Sequence, residues 1–412
     1  MARICLITPG HLSTNPRLVK EADALAAAGH DVHVVACRYS AWGEAADAAF
    51  AARPWSRSAP VPFGPRAPLP RRLAQKARRS LWRARLKAGH SPPPAALAAA
   101  LHDASAGLAA AAEAVPADLY VAHYVAALPA AARAAARHGA RYAFDAEDFH
   151  TGDLPDRPEH AFERDLIGRI EAALLPGCAY LTAASPGIAE AYARAYGVAR
   201  PQVVLNVFPT AEAPPSPSPQ GGADPGPSVY WFSQTIGPDR GLECAVRALP
   251  LAASRPHLHL RGLPAAGYAE ALQALAREQG VADRLHLLSP APPDRMVGLA
   301  AAFDLGLVGE TGVTTNRRIA LTNKQFTYLL AGVPSLLSDI PAHRDFAAEA
   351  PGAAVLYPAD DPAGLAAAMD ALLLDPASLA RARSAAFALG RDRFNWEIEQ
   401  SRLLAAVEAA LP

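Results

Sequence analysis

The sequence predicts an α/β chain made of two parallel-sheet halves. Three observations carry this. Short apolar runs alternate with helical segments along the whole chain, the pattern of repeated βαβ units. A Pro-, Ser- and Gly-rich stretch at residues 209–228 interrupts that alternation close to mid-chain. The length, 412 residues, suggests two or three domains at roughly 100–200 residues each. With 51% hydrophobic and 19% charged residues, the chain is neither disordered nor collagen-like, and it is long enough for two cores.

In the first half, residues 3–8 read as a buried strand, short, apolar and ended by Pro9-Gly10. Residues 15–28 read as a helix with Leu18, Ala22 and Leu25 on one face, followed by Gly29 and a second strand at 31–36. Strand, helix and strand in this order form a parallel unit. The pattern recurs with a strand at 119–123, an Ala-rich helix at 126–138 and a strand at 142–145. Further strands fall at 180–183 and 203–205. Residues 209–228 have the composition of a linker. The second half restarts with a strand at 229–232, a helix from 242 and strands at 257–261, 285–288 and 305–308. It continues with a helix at 323–331 and a strand at 333–337. A ligand is expected in the cleft between the halves, at the carboxyl ends of the strands.

The formal net charge is zero, with 39 basic and 39 acidic residues, but the charges are unevenly placed. Residues 48–102 hold eleven Arg and Lys and no Asp or Glu, so the rest of the chain sums to −11. Within this block Leu73, Ala77, Leu81, Ala84 and Ala88 recur at helical spacing, with Trp82 and Leu86 beside them. A basic amphipathic helix carrying a Trp suits the surface of an anionic membrane, with Arg72, Lys76, Arg79, Trp82 and Arg83 facing lipid or acceptor. The alternative is a solvated basic face that packs Leu73 and Leu81 into its own domain. No nucleic-acid motif accompanies the charge, and nucleic acid is not expected as a partner.

Four scattered cysteines without a C-x-x-C pair argue against a disulfide framework or zinc site and suit a reducing cytosol. The first apolar run is too short for a signal peptide, and none reaches the ~18 residues of a membrane span.

Two loops in the second half suit phosphate. Residues 233–243 form a polar, Gly-containing turn that opens a helix, where Arg240 adds a cation. Residues 309–326 run from a strand into a helix and place Thr322, Asn323 and Lys324 at its start. Lys324 is one of only four lysines. The bland readings are an ordinary turn and a solvated lysine. In the first half, the loop at 9–17 offers Gly10 for close backbone approach, and His123 ends a strand. Asp145, Glu147, Asp148 and His150 lie within six residues, fit for a metal, for sugar hydroxyls or for a capped turn. No strand is followed by G-x-G-x-x-G, which argues against a dinucleotide oxidoreductase.

On these segments, and on Ala184–Ile188, Arg240–Glu243 and Asn323–Pro334, the chain resembles GT-B glycosyltransferases of the large retaining family 4. The donor-helix run Asn-Lys-Gln-Phe-Thr-Tyr-Leu-Leu-Ala-Gly-Val-Pro is the most specific. The resemblance implies a GT-B fold, two Rossmann-like parallel-sheet domains facing each other across a cleft. It implies an acceptor-side domain at 1–208, the linker at 209–228, a nucleotide-sugar domain at 229–390, and a C-terminal helix at 391–412 packing back on the first domain.

It further implies donor contacts from Gly10, Gln234, Arg240, Glu310, Asn323, Lys324 and Thr327. Gln234 stands where the family has a cation, Thr327 where it has the ribose-binding acid, and Glu310 at a spacing that differs from the paired-glutamate motif. His123, Asp145 and Glu147 would act at the transferred sugar and acceptor. The implied activity is metal-independent, retaining transfer of a hexose from a nucleotide-diphosphate sugar. The acceptor would be a saccharide or lipid-linked saccharide in bacterial envelope or exopolysaccharide assembly. No cofactor or metal is expected, and the place is the cytoplasm, at the inner face of the plasma membrane. Two alternatives stand: a GT-B-like nucleotide-sugar 2-epimerase, and a non-catalytic nucleotide-sugar-binding subunit.

Overall fold

The computed structural model describes residues 1–217 and 226–411. The chain divides into two compact units, Met1–Val204 with Gln400–Pro412, and Leu205–Glu399. The boundary at 204/205 precedes the stretch read as a linker. Thr210 is already tied into the second unit, its backbone N–H and hydroxyl donating to Glu397 at 3.0–3.2 Å. Pro219 and Pro225 of that stretch lie outside the described residues.

In the first unit the strands are β1 (Arg3–Ile7), β2 (Asp31–Val35), β3 (Cys37–Arg38), β4 (Ser56–Arg57), β5 (Val61–Pro62), β6 (Leu119–His123), β7 (Arg141–Ala146), β8 (Leu181–Ala183) and β9 (Gln202–Val203). Among the described residues, seven form one parallel sheet in the order β4-β2-β1-β6-β7-β8-β9, and β3 pairs with β5. Helices α1 (Pro16–Ala27), α2 (Ala41–Asp47), α3 (Leu69–Lys87), α4 (Pro94–Leu101), α5 (Ser105–Glu113), α6 (Leu128–His138), α7 (Ala161–Leu174) and α8 (Pro186–Tyr196) connect and cover them. The strands are apolar on both faces because helices cover both: Ile4, Leu6, Val121 and Phe144 are fully buried. Helix α1 starts where Asn15 caps it, accepting from Leu18 N–H at 3.0 Å, with Pro16 at the first helical position.

The second unit holds β10 (Ser228–Ile236), β11 (His257–Pro264), β12 (Leu285–Leu288), β13 (Leu305–Val308), β14 (Ser335–Ser338) and β15 (Ala354–Tyr357) in one parallel sheet, ordered β12-β11-β10-β13-β14-β15. Around it lie α9 (Leu242–Ala248), α10 (Tyr268–Glu278), α11 (Met296–Ala300), α12 (Thr315–Ile319), α13 (Asn323–Ala331), α14 (Pro341–Glu349), α15 (Pro362–Leu373) and α16 (Pro376–Asp392). Helix α13 lies directly on β13 because Gly306 has no side chain: a Cβ there would sit 2.3 Å from the Tyr328 ring. The Tyr328 hydroxyl donates to the Tyr230 carbonyl at 2.9 Å, which satisfies it in the core.

The last helix, α17 (Trp396–Ala410), begins in the second unit and ends in the first. There Arg141 donates to the Ala410 carbonyl at 3.0 Å, and His30 meets Glu408 at 3.1 Å. In each sheet the strand order reverses once, beside β1 and β6 in the first unit and beside β10 and β13 in the second. Ligands of open parallel sheets bind at the carboxyl end of such a reversal.

Candidate active site

In the second unit the reversal point gathers positive charge. The turn after β10 and the loop after β13 meet there, backbone to backbone. Gly241 has φ +68°, and a Cβ on it would lie 2.3 Å from the Gly309 carbonyl oxygen. This contact sets Arg240 beside Glu310. Arg240 Nη1 lies 3.6 Å from Glu310 Oε1, Lys324 Nζ 3.7 Å from the same oxygen, and Arg317 Nη1 3.6 Å from Oε2. Glu310 is 3% exposed and Lys324 4%. The Lys324 ammonium also lies 5.3 Å from the centroid of the Trp231 ring.

Three cations surround one carboxylate, so the cluster carries an excess formal charge of +2, the complement of a diphosphate. The electrostatics agree. Burial pushes the Glu310 carboxyl up, but Lys324, Arg240 and Arg317 outweigh it and hold the group below its ordinary value. Burial draws Lys324 down to about 8, against the pull of Glu310 and with the repulsion of the two arginines. A bound anion relieves that repulsion.

The sequence pattern alone does not single out Arg317 as a site residue. Thr314 caps α12, accepting from Arg317 N–H at 3.2 Å. That cap aims Arg317 at the Asp239 carbonyl, to which Nη1 donates at 2.7 Å. Asp239 has φ +61°, and Thr311 donates to the same carbonyl at 3.3 Å. The sequence signal was the Thr-Thr-Asn-Arg start of a capped turn.

The remaining donor candidates divide. Asn323 opens α13. Gln234 is exposed where the β10–β11 register shifts between Phe232 and Thr235. Thr327 does not present a hydroxyl: it is fully buried and donates to the Asn323 carbonyl at 3.0 Å. The expected ribose contact is corrected accordingly. Gly10 belongs to the first unit, in the turn after β1, where its carbonyl accepts from Cys37 N–H at 3.0 Å. That turn is fixed by buried His11. Its Nε2 accepts from Tyr39 and Ser40 N–H at 3.1 and 3.2 Å, so Nδ1 carries the proton toward Asp47 at 2.9 Å.

His123, Asp145 and Glu147 do come together, but mostly inside the domain. His123 and Asp145 are 0% and 1% exposed, on facing positions of β6 and β7. Arg17 grips Asp145 with two bonds, at 2.6 and 2.8 Å, and donates to the Val204 carbonyl at 2.6 Å. Thr182 donates to Asp145 at 2.5 Å. His123 Nε2 lies 3.0 Å from Glu21, and Nδ1 3.2 Å from both Asp145 and Glu147.

Burial opposes a charge on His123, yet Glu21, Asp145 and Glu147 raise its pKa well above the ordinary value. Burial likewise opposes the Asp145 charge, and Arg17 and His123 overcome it, holding its pKa below the usual range. Glu21, His123 and Asp145 come within reach of a single metal ion, but the Arg17 guanidinium already supplies the positive charge these carboxylates need. The network fastens α1 to three strands. His123 and Asp145 are therefore engaged in this network, and of the three candidates Glu147, with 29% of its side chain exposed, reaches outward.

His150 turns elsewhere, to Glu171 at 3.2 Å and Tyr192 at 2.8 Å. Helix α3 is also turned opposite to expectation. Arg79 faces Asp103 at 3.9 Å, Arg83 pairs with Glu163 at 2.5 Å, and Trp82 packs on the buried cluster of Leu86, Leu97 and Leu166. Those three residues bind the helix to its domain; Arg72 is half-buried and Lys76 exposed.

Residues 14–207 match the family model described as Glycosyl transferase 4-like domain. Among solved structures, HepE of Anabaena in complex with UDP-glucose is 15% identical over 99% of this chain and 100% of that one, with a TM-score of 0.70. Sucrose-phosphate synthase of Thermosynechococcus elongatus is 15% identical over 99% and 98%, with a TM-score of 0.72. The lipopolysaccharide outer core galactosyltransferase WaaB is 15% identical over 99% and 100%, with a TM-score of 0.57. No curated protein matches the sequence. The fold is GT-B.

Proposed function

We propose that this chain, a GT-B protein whose residues 14–207 match a glycosyl transferase 4-like domain, is a glycosyltransferase that takes a hexose from a nucleotide-diphosphate sugar. The observation that carries this is the set of three cations around Glu310 at the reversal point of the second sheet. When the bond from sugar to phosphate breaks, negative charge grows on the departing diphosphate. Arg240, Arg317 and Lys324 are already in place to receive it, so stabilisation needs no reorganisation at that moment. Three fixed cations supply the charge a divalent ion would otherwise bring, and we propose a metal-independent reaction with no cofactor besides the donor.

HepE, which shares the fold, is described with UDP and with UDP-glucose. This supports a uridine donor as the first to test. Glu147 would orient the acceptor hydroxyl, with transfer proceeding with retention. The acceptor is proposed to be a saccharide, free or lipid-linked, in bacterial envelope or exopolysaccharide assembly on the cytoplasmic side.

The test is release of nucleoside diphosphate from a panel of nucleotide sugars, with and without saccharide acceptors, in chelator. Acceptor-dependent release supports the reading. Absence of nucleotide-sugar binding by calorimetry overturns it. The buried Thr327 favours one second reading, a non-catalytic nucleotide-sugar-binding subunit, which binding without turnover across the panel would select.

A further inference from the structure

Helix α3 carries eight cations and no acid in 19 residues, spanning about 28 Å. One face is committed to the domain: Gln75, Arg79, Trp82, Arg83 and Leu86 are half-buried or buried, at helical spacing. The opposite face is apolar and open. Leu69, Leu73 and Leu81 are 66%, 58% and 50% exposed, and exposed Ala77 and Ala84 fill the stripe between them. At 100° per residue, Lys76 and Lys87 border this stripe on one side and Arg78 and Arg85 on the other; Lys87 and Arg85 lie over the Phe162 and Trp82 rings. Among the described residues of the helix, only Arg79 and Arg83 meet carboxylates. Of the others, Arg72 and Lys76 stand four residues apart and repel one another, a cost that an external anion removes.

We propose that this face of α3 lies on an anionic lipid surface. Charge alone would suit any acidic macromolecule. Three outward leucines between two cationic borders specify more, because leucine gains nothing in contact with a solvated polyanion but is buried among acyl chains while Lys and Arg reach back to the headgroups. The helix is held by its opposite face, so the leucines need no rearrangement to reach lipid. The surface is argued from α3 alone and stands whether or not the donor reading does.

The test uses the full chain and flotation with phosphatidylcholine vesicles, with and without phosphatidylglycerol, at low and high salt. Binding is expected only with the anionic lipid, weakening in salt. Leu73→Glu with Leu81→Glu, and separately Lys76→Glu with Arg78→Glu, should each reduce binding about tenfold or more. The far-UV circular dichroism spectrum and the thermal midpoint, read in parallel, should stay at the wild-type values and certify folding.

In a Cys178→Ser background, an environment-sensitive dye on Ala77→Cys should shift to the blue on anionic vesicles, a readout that leaves the leucines intact. Failure of the wild type to float with anionic vesicles at low salt overturns the proposal. So does binding that the leucine pair leaves unchanged, which would mean that charge alone, and not the leucine face of α3, holds the chain to the vesicle.

Discussion

The backbones of Gly241 and Gly309 touch: a Cβ on Gly241 would stand 2.3 Å from the Gly309 carbonyl oxygen. Gly241 is also the N-cap of α9, at φ +68°. Gly241→Ala therefore meets two penalties, the left-handed backbone, at about 1 kcal/mol, and a clash with an atom that cannot move without the β13 loop. We expect a lower denaturant midpoint and a donor affinity reduced by more than about tenfold. Both follow from one displacement, of Arg240 away from Glu310. Wild-type nucleotide affinity in the variant would show that this contact does not position the cations.

On the proposed function, Arg317 would supply the cation that position 234 lacks. Arg317→Ala should weaken nucleotide-diphosphate binding by about tenfold to a hundredfold, the range of a hydrogen bond to a charged group. Gln234→Ala should change it little. Nucleoside binding without phosphates should be unaffected by either. Calorimetry with the diphosphate and the bare nucleoside separates these cases. Equal losses at 234 and 317 would contradict the assignment.

On the proposed function, Lys324 should give donor binding a pH dependence. Its pKa in the free protein is about 8, and a bound diphosphate favours the charged form. Affinity is then level below that value and falls as pH rises through it, because binding must recapture a proton. Glu310 raises the Lys324 pKa, so Glu310→Gln should move the fall toward lower pH. Titrations from neutral to alkaline pH check both the sign and the direction of displacement.

The two loops that carry Arg240 and Lys324 were legible because their chemistry is local: an Arg-Gly turn and a lysine at a helix start declare themselves in a few residues. Arg317 was not, because its direction depends on the Thr314 cap and on the Asp239 carbonyl from another loop. The apolar runs of the sequence place β12, β13 and α13 at their observed bounds. The face on which α3 docks was not legible. Trp82 and Leu86 lie on one side and Leu69, Leu73 and Leu81 on the other, so the pattern offers two apolar faces. The choice rests with partners distant in sequence, Leu97 and Leu166. His123 shows the same limit. At the end of a strand it looked free for substrate, and only the folded chain brings Arg17 and Glu21 around it.

His123 sets the last prediction. Its imidazolium stands among Glu21, Asp145 and Glu147, with Arg17 the other cation. His123→Gln keeps volume and polarity but leaves buried carboxylates short of one charge, which should cost about 3–5 kcal/mol at mildly acidic pH. The folded pKa of His123 is raised, so its contribution is fully present below the unfolded value of about 6.5. It is lost as pH rises through the folded value. The stability gap between wild type and variant should therefore narrow toward alkaline pH. Urea unfolding across that range checks it. A gap that is constant with pH would mean that His123 is neutral in the fold and that the carboxylates share protons instead.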